Sequence, residues 1–279
     1  MSLNISSESI SNPLLVDLLR NLSHVFSQLD SNFFVIGATA RDLILHALAG
    51  TAARRKTRDL DIAIAITGWD RYDKILQRLI DAGYTKSTIH THRLNRGDYE
   101  IDIVPYGAVA KNDGNIYWPP DETIAMSVKG FDEVLREAVT VSIDGEFEIR
   151  IASLHGLFVL KLNAWLDRNL TTNKDAEDMW YIIDNYYYAN EARGIHQEVY
   201  GLDSFDLAVA GAYWMAHDIA DLLEKRQIGF YNDILKKELA HAADSRLVMQ
   251  ILDTHRLLNL SEVLRVLSVI TDVFTERQY

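Results

Sequence analysis

Residues 59–66, Asp-Leu-Asp-Ile-Ala-Ile-Ala-Ile, constrain the fold more than any other stretch of this chain. The unbroken apolar run after Asp61, β-branched at alternate positions, reads as a strand buried on both faces. Such a strand needs neighbours in a sheet and layers of structure above and below it. Two carboxylates open it. Asp59 and Asp61 are two residues apart, so on a strand both project from one face.

Helix and strand signals alternate around this run. Asn12 to Leu29 has helical spacing (Leu14, Leu15, Leu18, Leu19, Leu22, Val25, Phe26), and Phe33 to Ile36 is a short strand ending at Gly37. Ala38 to Leu48 returns to helical spacing, and Trp69 to Ala82 reads as a helix stopped by Gly83. Ile89–Leu94 and Tyr99–Val104 flank the turn Asn95-Arg96-Gly97-Asp98, which predicts a hairpin. A second hairpin is predicted for Val139–Ile143 and Phe147–Ile151 around Asp144-Gly145. From Ser153 the period is helical: Leu154–Leu166, Lys174–Tyr188, and further helices near 205–223, 232–240, 244–251 and 261–275. The expected fold is therefore α+β (mixed α/β): an α/β domain over 1–151, then a helical domain over 152–279.

Composition narrows the class. With 279 residues, 48% hydrophobic and 24% charged, the chain can bury a sizeable core unaided. It has no cysteine, which excludes disulfides and thiolate zinc sites. No apolar run approaches the ~20 residues of a membrane span, and the polar start lacks a signal-peptide pattern, so no membrane partner and a cytoplasmic location are expected. The net charge of −12 argues against general nucleic-acid binding. Residues 151–279 carry 12 Lys/Arg against 19 Asp/Glu, so that region offers no evident nucleic-acid surface.

The chemistry gathers around the acids. Asp102, in Glu100-Ile101-Asp102-Ile103-Val104, is a lone acid between β-branched residues. If its strand neighbours 59–66, three carboxylates converge, and their repulsion calls for divalent metal. Mg²⁺ prefers such oxygen ligands and bridges carboxylates to substrate phosphates, and two ions can serve an in-line displacement. Alone, Asp-x-Asp is equally a strand-start turn and Asp102 an exposed hairpin residue. Gly37-Ala38-Thr39 shifts the balance, because a small-residue turn into a helix presents backbone N–H groups and a positive dipole to phosphate. Arg54-Arg55-Lys56-Thr57-Arg58 is either a solvated loop or a cationic attractor for triphosphate or RNA.

In order, these residues resemble the nucleotidyltransferase superfamily, and within it the nucleotidyltransferase AbiEii/AbiGii toxin family. The resemblance rests on Val35-Ile36-Gly37-Ala38-Thr39-Ala40-Arg41-Asp42, Thr57-Arg58-Asp59-Leu60-Asp61-Ile62 and Glu100-Ile101-Asp102-Ile103-Val104. Leu160-Lys161-Leu162-Asn163-Ala164-Trp165 and Lys174-Asp175-Ala176-Glu177-Asp178 point to the AbiEii branch, and together the motifs span about residues 15 to 190. The resemblance implies a small mixed sheet with flanking helices, followed by a helical domain that contributes to the active-site cleft. It also implies transfer of an NMP from an NTP with Mg²⁺, or Mn²⁺ in its place. Asp59, Asp61 and Asp102 would hold the metal, with Asp102 orienting or deprotonating the attacking hydroxyl, and Lys161 neutralising phosphate charge. Gly37, Ala38, Thr39, Arg41, Lys174, Asp175 and Asp178 would serve the nucleotide. Ala38 departs from the usual Ser or Gly, with Thr39 beside it.

The acceptor would be RNA or protein, with the chain as toxin beside a cognate antitoxin. Other readings are a small-molecule, antibiotic-type nucleotidyltransferase and a non-catalytic nucleotide- or partner-binding module. Lys174 and Asp178 are also i,i+4 neighbours on a helix, so an ordinary surface pair accounts for them equally. Arg41-Asp42 is open in the same way. Tyr186-Tyr187-Tyr188, Trp165 and Trp180 read as packing, and His90 with His92 lacks a third zinc ligand.

Overall fold

The computed structural model describes residues 2–10, 12–51, 58–193, 197–202 and 205–278. The chain divides into two compact units, Met1–Ser153 and Leu154–Tyr279.

The first unit contains, in order, β1 (Ser2–Ile5), α1 (Pro13–Gln28), β2 (Phe33–Ile36), α2 (Gly37–Ala49), β3 (Asp59–Ile66) and α3 (Trp69–Asp81). It continues with β4 (Thr85–Lys86), β5 (Arg93–Arg96), β6 (Tyr99–Gly107), β7 (Asn115–Tyr117), β8 (Ala125–Ser127), α4 (Phe131–Arg136), β9 (Val139–Ile143) and β10 (Phe147–Ile151). Among the described residues, eight strands form one mixed sheet in the order β1-β9-β10-β2-β3-β6-β5-β4, and β7 pairs with β8 apart from it. The sheet is wider than the small one expected, because β1 joins β9 in parallel and the β9–β10 hairpin extends the same edge.

Strand β3 lies inside this sheet, antiparallel to β2 and parallel to β6. Leu60, Ile62, Ile64 and Ile66 are buried on one face, each side chain stabilising the fold by about 2 kcal/mol. On the other face the small residues Ala63 and Ala65 follow the two aspartates, and Ala65 is exposed. Burial on both faces, as the apolar run predicts, therefore stops short of that edge. Helix α1 starts where Pro13 follows the Asn12 cap, whose side chain accepts from the Leu14 N–H, and it buries Leu18, Leu19, Leu22, Val25 and Phe26.

The second unit is helical: α5 (Leu154–Arg168), α6 (Lys174–Ala189), α7 (Gln197–Tyr200), α8 (Leu207–Leu222), α9 (Lys225–His241), α10 (Arg246–Thr254) and α11 (Leu260–Gln278). Gly211 of α8 lets two helix backbones approach, since a Cβ there would lie 2.8 Å from the Ile183 carbonyl oxygen of α6. Trp165 and Trp180 are buried, Tyr187 stacks on Trp214, and Tyr188 is exposed. Among the described residues, no helix is long and apolar enough to cross a membrane.

A polar network ties α5, α6 and α8 together. The Tyr186 hydroxyl lies 3.1 Å from His155 Nδ1 and donates to Asp218 Oδ2, and Arg193 holds Asp218 at 2.7 and 3.1 Å. Burial pushes the His155 imidazole down to about 4, against the pull of Asp218, while the Arg193 charge lowers it further. The folded value is below the ordinary 6.5, so this group's contribution is full above pH 6.5 and is lost as pH falls toward 4. At pH 5 the expected loss is about 2 kcal/mol. Urea unfolding of wild type and His155→Gln at pH 7 and 5 should show a smaller fall in the variant; equal falls would place the acid sensitivity elsewhere.

Candidate active site

Strand register decides which acids meet. In the parallel β3–β6 pair, Asp61 is opposite Asp102 and Asp59 is opposite Glu100. In-register residues of adjacent strands project from the same face, so Asp59, Asp61, Glu100 and Asp102 form one acidic patch. Its floor is the sheet.

Gly37 brings backbone to that patch. It follows directly on β2, where Ile36 pairs with Asp61, and opens α2 with φ 72°. A Cβ on Gly37 would fall 2.1 Å from Asp61 Oδ2. Only glycine supplies both the left-handed backbone and the missing atom. The first turn of α2, Gly37-Ala38-Thr39, has no side-chain cap, and the Thr39 hydroxyl donates to the Asp59 carbonyl at 3.3 Å. Gly37→Ala is expected to cost about 2 kcal/mol of stability from backbone strain and crowding. The nucleotidyl transfer that the resemblance implies should drop at least about tenfold as Asp61 is displaced. Melting and initial-rate measurements check both; wild-type values for each would contradict this geometry.

Arg93 belongs to the patch and was not foreseen. It pairs with Asp102 across the β5–β6 hairpin and grips it with a two-pronged contact, Nε to Oδ1 at 2.6 Å and Nη2 to Oδ2 at 2.8 Å. Its Nη1 also donates to Glu100 Oε2. The hydrogen bonds that Arg93 donates to Asp102 raise its pKa, as do the charges of Asp102, Glu100 and Asp59, and together they outweigh the opposing effect of burial. His92 Nε2 stands 3.9 Å from Asp102 Oδ1. Its ring abuts buried Trp118, which also meets Trp69 and Tyr72. Burial lowers the His92 pKa, opposed by Asp102 and aided by Arg93 and His90. The predicted strand over 89–94 is displaced: β5 begins at Arg93, and His90 and His92 lie ahead of it on a turn.

The oxygen-only donors Asp59, Asp61 and Asp102 suit a hard cation such as Mg²⁺. Among the described residues, no group of three or more His, Asp or Glu is arranged to hold a metal ion.

The remaining sequence candidates are distributed as follows. Arg41 is 3% exposed, and its Nη2 is 2.6 Å from Asp42 Oδ1, as in a buried pair on α2. Of the basic run, 54–57 lie outside the described residues, and Arg58 makes a surface pair with Asp98 at 3.3 Å. Within the helical unit, Lys161 Nζ lies 2.7 Å from Asp178 and 3.3 Å from Asp175, and Arg168 Nε lies 2.6 Å from Asp175. Asp178 therefore has Lys161 as a partner, and Lys174 is exposed. Burial raises the Asp175 carboxyl, but the Arg168 hydrogen bonds and the charges of Lys161 and Arg168 outweigh it and hold the pKa below 3.8.

Among solved structures, the antibiotic-resistance factor ANT(2'')-Ia in solution is 15% identical over 65% of this chain and 85% of its own, with TM-score 0.39. A crystal structure of ANT(2'')-Ia with adenylyl-2''-tobramycin is 14% identical over 65% and 90%, also at 0.39. JHP933 from Helicobacter pylori is 15% identical over 98% and 94%, at 0.36. No curated protein matches. The family described as nucleotidyl transferase AbiEii toxin, type IV toxin–antitoxin system, matches residues 18–249, and with most of its length inside that match the chain belongs to this family of nucleotidyltransferases.

Proposed function

We propose that the protein moves an NMP from an NTP to an acceptor hydroxyl of RNA or protein, with Mg²⁺, as the toxin of a pair that includes a cognate antitoxin. The observation that supports this best is the in-register pair Asp61 and Asp102, with Asp59 on the same face and Gly37 pressed against Asp61. Asp59 and Asp61 would hold the metal, with Asp102 completing the set. When bound, Mg²⁺ would neutralise phosphate charge and stabilise the oxygens that exchange in an in-line displacement. The uncapped first turn of α2 gives backbone N–H donors for the triphosphate, and Gly37 lets phosphate approach without a side chain in the way. Asp102 would orient the attacking hydroxyl and take up its proton.

The acceptor is the least constrained part. Incubating the protein with each labelled NTP, Mg²⁺ and either total RNA or cell protein tests it. Label should enter one of these pools and depend on metal. Label confined to small amines would instead favour the small-molecule reading, which the acidic balance of residues 151–279 supports. Metal-independent NTP binding with no transfer to any acceptor would contradict catalysis.

A further inference from the structure

Arg93 occupies an unusual position for a cation: it reaches into the same acidic patch that the metal-site reading assigns to Mg²⁺. Its fork contacts both oxygens of Asp102, and its third nitrogen donates to Glu100. Both acids that β6 contributes to the patch thus meet the same guanidinium.

We propose that Arg93 is a positioning residue acting as an internal countercation, which holds Asp102 and Glu100 while metal is absent and yields Asp102 when metal loads on Asp59 and Asp61. The inference rests on the metal-site reading above. Its physical basis is competition. A planar guanidinium satisfies a carboxylate through two parallel hydrogen bonds, and a divalent ion seeks the same oxygens. Four carboxylates on one sheet face also repel one another, and a fixed cation relieves that strain in the metal-free fold. Metal affinity is then lowered by the cost of parting Arg93 from Asp102, and the site is shielded from binding stray cations in full.

Mn²⁺ titration followed by electron paramagnetic resonance, on wild type, Arg93→Gln, Arg93→Lys and Asp61→Asn, tests this. Removing the guanidinium should tighten Mn²⁺ binding about tenfold. Arg93→Lys keeps the charge but loses the fork, so it should also bind more tightly than wild type, by a smaller factor. A lysine variant indistinguishable from wild type would reduce Arg93 to a background charge and overturn the proposal; so would a glutamine variant that binds equally or more weakly. Should the variants fail to fold, the wild-type Arg93 Nε–H resonance decides. It should exchange slowly with solvent in metal-free protein and at least about tenfold faster with saturating Mg²⁺, and unchanged protection would overturn the proposal. If wild type and Asp61→Asn take up Mn²⁺ equally poorly, the metal-site reading fails as well. Normal wild-type binding with unresponsive Arg93 variants isolates the failure to the countercation.

Discussion

Asp61→Asn is expected to lower nucleotidyl transfer on the order of a thousandfold while leaving the protein folded. The side chain keeps its shape, so its fit against Gly37 survives, and the neighbouring positions Leu60 and Ile62 remain buried. What disappears is one negative charge from a patch of four carboxylates, opposite Asp102 in register. Losing it weakens divalent-metal binding but also relieves like-charge repulsion, so thermal stability should stay within about 1 kcal/mol of wild type. Initial rates with a labelled NTP and Mg²⁺, run beside a melting curve, separate the two effects. Full activity in this variant would remove Asp61 from the chemistry. Unfolding would mean that its negative charge serves the fold.

The second large effect belongs to the helical unit. Asp175→Ala should destabilise it by about 3 kcal/mol, because it removes a buried carboxylate together with the charge-assisted hydrogen bonds it accepts from Arg168 and Lys161. Asp175 has a side chain only 1% exposed, between Lys161 at 14% and the half-exposed Arg168. Asp178 still holds Lys161 at 2.7 Å, which keeps the loss at the lower end of the range for such pairs. The midpoint of thermal unfolding should fall about 10 °C. The folded pKa of Asp175 lies below 3.8, so the stabilisation it gives is full above that value and is lost as pH falls through the lowered one. Wild type and variant should therefore converge in stability at strongly acidic pH. A variant as stable as wild type at pH 7 would show that the cluster contributes nothing net to folding, as some buried pairs do not.

The legible parts of the site were those set by local chemistry. Period two alone puts Asp59 and Asp61 on one face, and the β-branched run after them requires neighbouring strands. Gly37 was legible as a turn from strand to helix. Its contact with Asp61 was not, because that depends on the pairing of β2 with β3. Arg93 shows the limit most clearly. Read as the four-residue turn 95–98, the hairpin sets Thr91 opposite Asp102. The observed loop is two residues, Gly97-Asp98, with Gly97 at φ 56°, and it slides the register so that Arg93 meets Asp102. Turn length decides the partner, and both lengths fit the same residues.

Elements missed in the first unit are short, and each escapes for its own reason. Ser2–Ile5 is polar and short, and it becomes a strand through parallel pairing with β9, a contact distant in sequence. Phe131–Arg136 has six residues, too few for helical periodicity to emerge from a window. In the helical unit, Lys161 lies between Asp175 and Asp178 although α5 and α6 are separate helices. Sequence offered Lys174 as the i,i+4 partner of Asp178, but burial of Asp178 and exposure of Lys174 leave that surface pair without support.

Asp59, Asp61 and Asp102 are proposed as the metal-holding face of this nucleotidyltransferase. A crystal structure with Mg²⁺ and a non-hydrolysable NTP tests this assignment most directly. An ion should lie on the Asp59 and Asp61 carboxylates, with Asp102 released toward it from Arg93 and triphosphate oxygens at the first turn of α2. Nucleotide bound with its Mg²⁺ away from all three aspartates, or triphosphate remote from Gly37, would contradict it.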